Sequence, residues 1–157
     1  MERTFTGKSG RVWTFYPNEP LGRPGGFGSV FRGRADDGIQ VAVKVIDLRG
    51  RISASRLLQR EAEIGEKLSS VRSEHLIHML DSGETETEVL LVMELAERSL
   101  ADYLDERGGS LPPVEALSIL REITAGLREL HQASVIHRDL KPDNVLLHEG
   151  RWKLADF

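Results

Sequence analysis

With 157 residues, 39% of them apolar and 29% charged, the chain has the composition of one ordinary globular domain with a real core. It has no cysteine, which excludes a disulfide framework, a cysteine-ligated zinc site and a thiol nucleophile. Lys and Arg total 21 against 25 Asp and Glu, a formal charge of −4, so neither nucleic acid nor an anionic membrane is expected as a partner.

The polar start Met1-Glu2-Arg3-Thr4 is not a secretory signal, and the longest apolar run, Val89 to Met93, is too short to cross a bilayer. A soluble, cytoplasmic protein is the expectation. Gly7-Lys8-Ser9 invites a P-loop reading, but Glu2 stands where that motif needs its first glycine, and a turn explains the segment better.

The first half reads mainly as strands. Val12–Tyr16, Ser29–Arg32, Val41–Ile46 and Val89–Met93 are rich in β-branched, aromatic and other apolar residues and are separated by turn residues such as Asp36-Asp37-Gly38. Together they predict an antiparallel sheet. One helix interrupts them, roughly Ala54 to Ser69, with Leu57, Ile64 and Leu68 on one face. Glu61 falls on that same face, where a carboxylate is costly unless a cation meets it, so a basic partner is expected from another element.

His75 and His78 lack any further His or Cys cluster and read as part of a polar loop. Glu94 to Ser99 reads as a connection between a sheet lobe and a helical lobe. Arg107-Gly108-Gly109-Ser110 reads as a loop between two helices. Pro112-Pro113 with Glu115 suits a first helical turn, and Ala116, Leu117, Leu120, Ile123, Leu127 and Leu130 recur at steps of three and four as a core stripe.

The segment His137-Arg138-Asp139-Leu140-Lys141-Pro142-Asp143-Asn144 excludes a regular helix through its proline and packed charges. Apolar Val145-Leu146-Leu147 and then Lys153-Leu154-Ala155-Asp156-Phe157 follow it. By composition alone the segment is better explained by a charged surface turn between two strands. Phosphoryl transfer, however, needs a carboxylate for the hydroxyl proton, a cation for the moving phosphoryl group and oxygen ligands for magnesium. Asp139, Lys141, Asn144 and Asp156 supply those groups.

In its order the string resembles the catalytic loop of protein kinases, H-R-D-L-x-x-x-N, at every specified position. The resemblance spans about residues 19 to 157. It implies an α+β, two-lobed protein-kinase-like fold with an antiparallel sheet N-lobe carrying one helix and an incomplete helical C-lobe. The implied boundaries are N-lobe about 12–93, hinge about 94–99 and partial C-lobe about 100–157.

The resemblance also implies ATP and Mg2+ as cofactors and a protein substrate with a Ser or Thr acceptor. Lys141, two places after Asp139, is the variant of serine/threonine-type members, and Arg138 favours a protein over a small-molecule substrate. By the same resemblance Asp139 is the base and Lys141 stabilises charge. Lys44 of Val41-Ala42-Val43-Lys44 holds phosphates and pairs with Glu61, supplying the cation that Glu61 required. Asn144 and Asp156 bind magnesium.

Leu21-Gly22-Arg23-Pro24-Gly25-Gly26-Phe27-Gly28-Ser29-Val30 is similar to the glycine-rich loop over the ATP phosphates, where glycines let backbone N–H groups approach phosphate closely. Taking Gly22 as the first glycine of that loop requires one inserted residue, and brings the bulky, rigid Arg23-Pro24 into it. The nucleotide-contacting set implied is Leu21, Gly22, Gly25, Gly26, Phe27, Gly28, Val30, Ala42, Lys44, Glu94, Ala96, Asn144, Leu146 and Asp156. Met93 is implied as the gatekeeper, Glu94 to Ala96 as the hinge, and His137 as a packing residue. Because the sequence ends within the Asp-Phe-Gly motif, part of the helical lobe is expected to be missing, with α-helical apolar surface between Ala116 and Leu130 partly uncovered. Activity of this span is then doubtful, and a nucleotide-binding regulatory or non-catalytic kinase fragment is the alternative.

Overall fold

The computed structural model describes residues 1–25, 28–49, 54–68, 70–71 and 73–157. Strand-forming residues build a six-stranded antiparallel sheet from β1 (Arg3–Thr6), β2 (Val12–Gly25), β3 (Gly28–Ala35), β4 (Gln40–Asp47), β5 (Met79–Glu84) and β6 (Glu88–Glu94), in the order β1-β2-β3-β4-β6-β5. Side chains alternate along each strand. One face of the sheet therefore gathers Trp13, Phe15, Val41, Val43, Leu90 and Val92, all of them buried.

The sheet curls until its two edges approach each other. The Lys8 N–H donates to the Ser82 carbonyl at 2.8 Å. A Cβ placed on Gly83 would lie 2.8 Å from Cδ2 of Phe5, so only glycine admits that ring. These strands, residues Met1–Arg60 and His78–Leu95, form one compact unit, which takes in residues before the boundary expected near 12.

β1 and β5 were not evident in the sequence. β5 contains Asp81, Ser82 and Gly83, which have the composition of a turn. Asp81 is nonetheless buried, because its carboxylate accepts hydrogen bonds from the Trp13 indole (2.7 Å), the Ser82 N–H (2.8 Å), the Ser9 N–H (3.2 Å) and the Ser9 hydroxyl. Burial alone would raise its pKa, and the bonds from Ser9, Trp13 and Ser82 more than offset that and hold it below the usual carboxylate value. The Gly7-Lys8-Ser9 segment is part of the turn joining β1 to β2.

The second compact unit comprises Glu61–Ile77 and Ala96–Phe157. The helix α1 (Ala54–Leu68) runs across the division, with Leu57 packed on Ile46, Val89 and Leu91 of the first unit, and Ile64 and Leu68 belonging to the core of the second. The rest of the second unit consists of β7 (Arg98–Ser99), α2 (Leu100–Glu106), α3 (Pro113–Gln132), a 3-10 turn (Pro142–Asn144), β8 (Val145–His148) and β9 (Arg151–Leu154), with sheet order β7-β8-β9. The last two residues of the expected connection, Arg98 and Ser99, are thus a short strand against Leu147 and Leu146.

Ser99 also caps α2, its hydroxyl accepting the Asp102 N–H at 3.1 Å. The β8–β9 hairpin turns on Glu149 and Gly150, both with positive φ (51° and 76°), as a two-residue loop twisted to match its strands requires.

α3 starts with Pro113 in its first turn, where the missing N–H costs nothing. Its buried residues are Ile119, Gly126 and Leu130. A Cβ on Gly126 would meet the His75 carbonyl at 2.8 Å and Leu154 at 3.0 Å, so glycine here sets how closely α3 lies on β9. Of the expected stripe Leu130 is fully buried, while Leu117 and Leu120 are 54% and 56% exposed, in line with the partly uncovered apolar surface expected between Ala116 and Leu130. Among the described residues no helix is long and apolar enough to cross a membrane.

Candidate functional site

In the sheet unit, alternation decides which side chains meet. Directly opposed residues in antiparallel strands face the same side. The pairs Leu21↔Val30, Val30↔Lys44 and Lys44↔Leu91 therefore place these four residues in one row across β2, β3, β4 and β6. The next row pairs Ala42 with Arg32 and Met93. Both rows lie on the face opposite Val41, Val43 and Val92. Leu21, Val30, Ala42, Lys44 and Met93, all singled out in the sequence, thus share one face, and Lys44 is its half-buried ammonium. Leu91 joins them without having been singled out, although the alternation Val89, Leu91, Met93 carried the signal.

The glycine-rich segment is the end of β2 and the start of β3. Between the pairs Leu21↔Val30 and Gly25↔Gly28 the ladder is irregular: β2 advances four residues while β3 advances two. Arg23 and Pro24 fall within this bulge, which accommodates extra residues without disturbing the register of Leu21. Gly22 has φ +71°, a conformation costly for any side chain. Gly28 has φ +145°, and a Cβ there would lie 2.6 Å from the Val45 carbonyl. Gly26 and Phe27 lie outside the described residues.

Glu94 ends β6. Its carboxylate accepts the His78 N–H at 3.1 Å and its own N–H donates to the His78 carbonyl at 3.1 Å, leaving its backbone carbonyl at the end of the strand. Ala96 belongs to the second unit, in the irregular stretch before β7. Glu61 lies half-buried on α1, one turn from Leu57 and Ile64. Lys44 and Glu61 fall in different units.

In the second unit the loop from His137 to Asn144 is organised around a buried asparagine. Asn144, 7% exposed, donates from Nδ2 to the Asp139 carbonyl at 2.8 Å and to Asp139 Oδ2 at 3.2 Å. Its N–H donates to the Lys141 carbonyl and its carbonyl accepts the Ala155 N–H, both at 2.9 Å. One side chain thus ties the loop to itself, and its backbone ties the loop to the segment that carries Asp156. Lys141 Nζ stands 3.4 Å from Asp139 Oδ2, with both side chains about half exposed (50% and 52%). Asp156 is exposed. Leu146 is half-buried on β8, paired with Lys153 and Ser99.

His137 is 3% exposed and packs edge-on against Phe157, with ring centroids 6.1 Å apart. Its Nδ1 accepts the Asp139 N–H at 3.3 Å, while Nε2 finds no hydrogen-bond partner among the described residues. Burial pushes its pKa down, against the backbone of Ala155 and His137 and the charges of Asp139 and Asp156. A neutral ring fits the accepting role of Nδ1. Arg138 and Asp156 both adopt left-handed φ (68° and 59°), which for non-glycine residues is held only by surrounding structure. Nothing in residue type alone announces these two positions.

The donor chemistry fits magnesium. Asn144 and Asp156 offer hard oxygens, and Mg2+ is ordinarily bound through one or two such protein groups plus substrate phosphates. Among the described residues no group of three or more His, Cys, Asp or Glu could hold a metal ion alone.

Lys44 thus shares a sheet face with Leu21, Val30, Ala42 and Met93, and in the second unit Asp139, Lys141 and Asn144 stand together on one loop. Residues 15–157 match the family model of the protein kinase domain, and the chain belongs to that family. Its members use ATP and Mg2+. The chain is 40% identical over 136 residues to serine/threonine-protein kinase 36 of Pongo abelii, covering 85% of this chain and 10% of that protein. It is 39% identical over 146 residues to serine/threonine-protein kinase pkn2 of Myxococcus xanthus, covering 88% and 17%. With cyclin-dependent kinase 14 of Xenopus laevis it shares 33% over 152 residues, covering 96% and 34%. The chain thus spans between about a tenth and a third of the length of these relatives.

Proposed function

We propose that the protein transfers the γ-phosphoryl group of ATP, with Mg2+, to serine or threonine hydroxyls of a protein substrate in the cytoplasm. The observation that carries this reading is the loop in which buried Asn144 holds Asp139 and Lys141 stands 3.4 Å from the same carboxylate. A carboxylate positioned by a fixed donor, with an ammonium beside it, suits removal of a hydroxyl proton next to developing negative charge. When bound, ATP supplies the phosphoryl group and Mg2+ neutralises the charge on its phosphates.

Asp139 accepts the proton of the substrate hydroxyl, and Lys141 stabilises the charge that develops beside it. Asn144 and Asp156 are the groups that would hold Mg2+. Lys44, with Glu61, orients the phosphates, and the backbone N–H groups of Gly22, Gly25 and Gly28 approach them. Leu21, Val30, Ala42 and Leu146 provide apolar contacts to the base, and the backbone of Glu94 and Ala96 its hydrogen bonds. Lys141 two positions after Asp139, together with relatives named as serine/threonine kinases, supports Ser and Thr as acceptors.

The test is Asp139→Asn. It should abolish Mg-dependent phosphate transfer while ATP binding, measured by calorimetry, stays near that of the unaltered chain. Undiminished transfer by the variant would remove Asp139 as the base. ATP binding without any transfer by the unaltered chain would favour a nucleotide-binding module without turnover.

A further inference from the structure

The hairpin of residues 3–14 precedes the part of the chain that matches the kinase family, and besides the β2–β3 ladder, the Arg3–Glu88 pair and the burial of Trp13, its turn is fastened to the sheet at one carboxylate. That point is the turn at Gly7-Lys8-Ser9-Gly10. The Ser9 hydroxyl donates to Asp81 Oδ2 and accepts the Arg11 N–H at 3.2 Å, and the Ser9 N–H donates to Asp81 Oδ1 at 3.2 Å. A Cβ on Gly7 would lie 2.0 Å from Asp81 Oδ2, so the backbone rests directly on the carboxylate. Asp81 is 9% exposed, and its carboxylate also carries the indole N–H of the fully buried Trp13. Ser9 itself is exposed and is flanked by Lys8 and Arg11.

We propose that Ser9 is a phosphorylation site whose modification releases the N-terminal hairpin from Asp81. The transfer rests on the kinase reading above, with ATP as donor. The Ser9 Oγ–P bond forms as the bond from the γ-phosphorus to the bridging oxygen breaks. ADP leaves, and the hydroxyl proton passes to the base of the transferring kinase molecule. The product carries close to two negative charges at pH 7 and has lost the proton it donated. Placed against Asp81, it substitutes repulsion for a hydrogen bond at a carboxylate that cannot turn away without abandoning Trp13.

On the outer side the phosphate finds Lys8 and Arg11. Arg11 at present bonds Asp37 at 2.8 Å and lies over the Trp13 ring, 4.8 Å from its centroid. The turn therefore has two arrangements: hydroxyl on Asp81, or phosphate on Lys8 and Arg11. The second withdraws the Lys8 N–H from the Ser82 carbonyl, the bond that holds this turn against β5.

Two measurements test this. Phosphoserine is installed at position 9 by stop-codon suppression, and deuterium exchange is followed over residues 3–6 and 12–15, with Ser9→Ala as the uncharged control. The expected result is exchange faster by on the order of tenfold or more in the phosphoserine chain, clearly beyond that of Ser9→Ala. Exchange no faster than in Ser9→Ala overturns the latch. Separately, the unmodified chain is incubated with Mg-ATP and its phosphorylated residues are mapped by mass spectrometry. Phosphate at Ser9 supports the site, and phosphate on other residues with Ser9 unmodified overturns it. No phosphate on the chain or on any protein substrate, with the phosphoserine chain still exchanging fast, removes the kinase reading and leaves the latch standing.

Discussion

Replacing Asn144 separates the two jobs this residue is given, holding Asp139 and ligating magnesium. Asn144→Leu keeps the volume of a side chain that is 7% exposed and deletes its amide. The bond to the Asp139 carbonyl at 2.8 Å is an ordinary neutral one, contributing about 1 kcal/mol net. The bond to Asp139 Oδ2 at 3.2 Å involves a carboxylate about half exposed, so its contribution belongs at the low end of charged hydrogen bonds, about 1.5 kcal/mol. Asn144→Leu should therefore cost about 2–3 kcal/mol in urea denaturation of the chain. Phosphate transfer should fall on the order of 100-fold, because Asp139 loses its orientation. Asn144→Asp keeps oxygen ligands but has no donor and sets one carboxylate against another, so it should lose at least as much stability as the leucine variant. Denaturation midpoints and kcat for a serine peptide check both. If Asn144→Asp keeps the stability and the rate of the unaltered chain, the amide does not hold Asp139 and the reasoning fails.

Asp81→Ala strips four accepting bonds and strands the Trp13 indole, and should cost about 2–4 kcal/mol by thermal denaturation. Because the folded pKa of Asp81 lies below its ordinary 3.8, its stabilisation is full above that value and is lost as pH falls through the folded pKa. Asp81→Asn should accordingly flatten the loss of stability below about pH 4, a change read from denaturation curves at stepped pH. Gly126→Ala drives a Cβ to 2.8 Å from the His75 carbonyl, and should destabilise by about 1–3 kcal/mol with no change at the sheet unit in hydrogen exchange. Gly28→Ala meets the Val45 carbonyl at 2.6 Å with φ +145° already unfavourable, and should weaken ATP binding in calorimetry.

What the sequence disclosed and what it hid follow from where the information lies. The strand that carries Lys44 was legible in the β-rich run Val41 to Ile46, whereas Lys44 itself was singled out only through the resemblance to kinases and the need of Glu61 for a cation. The loop at Asp139 has no periodicity, and its geometry rests on one buried amide and two left-handed residues, Arg138 and Asp156. Only the ordered string of residues, through its resemblance to kinases, pointed there. β5 was hidden because its burial depends on a partner far away in sequence: Asp81, a poor strand former, becomes an interior acceptor only because Trp13 and Ser9 meet it.

α3 shows how a correctly expected element can bury only part of its apolar stripe. Apolar residues at steps of three and four placed the stripe along Ala116, Leu117, Leu120, Ile123, Leu127 and Leu130. The buried face is centred instead on Ile119, Gly126 and Leu130, which lie in line at about 100° per residue. Leu117 then falls nearly opposite and Leu120 on the flank, as their exposure records. Counting leucines missed this because the residue that draws the helix closest to its neighbours has no side chain to count. Packing at Gly126 is decided by how near the His75 carbonyl and Leu154 can come, and a hydrophobicity pattern gives that position no weight.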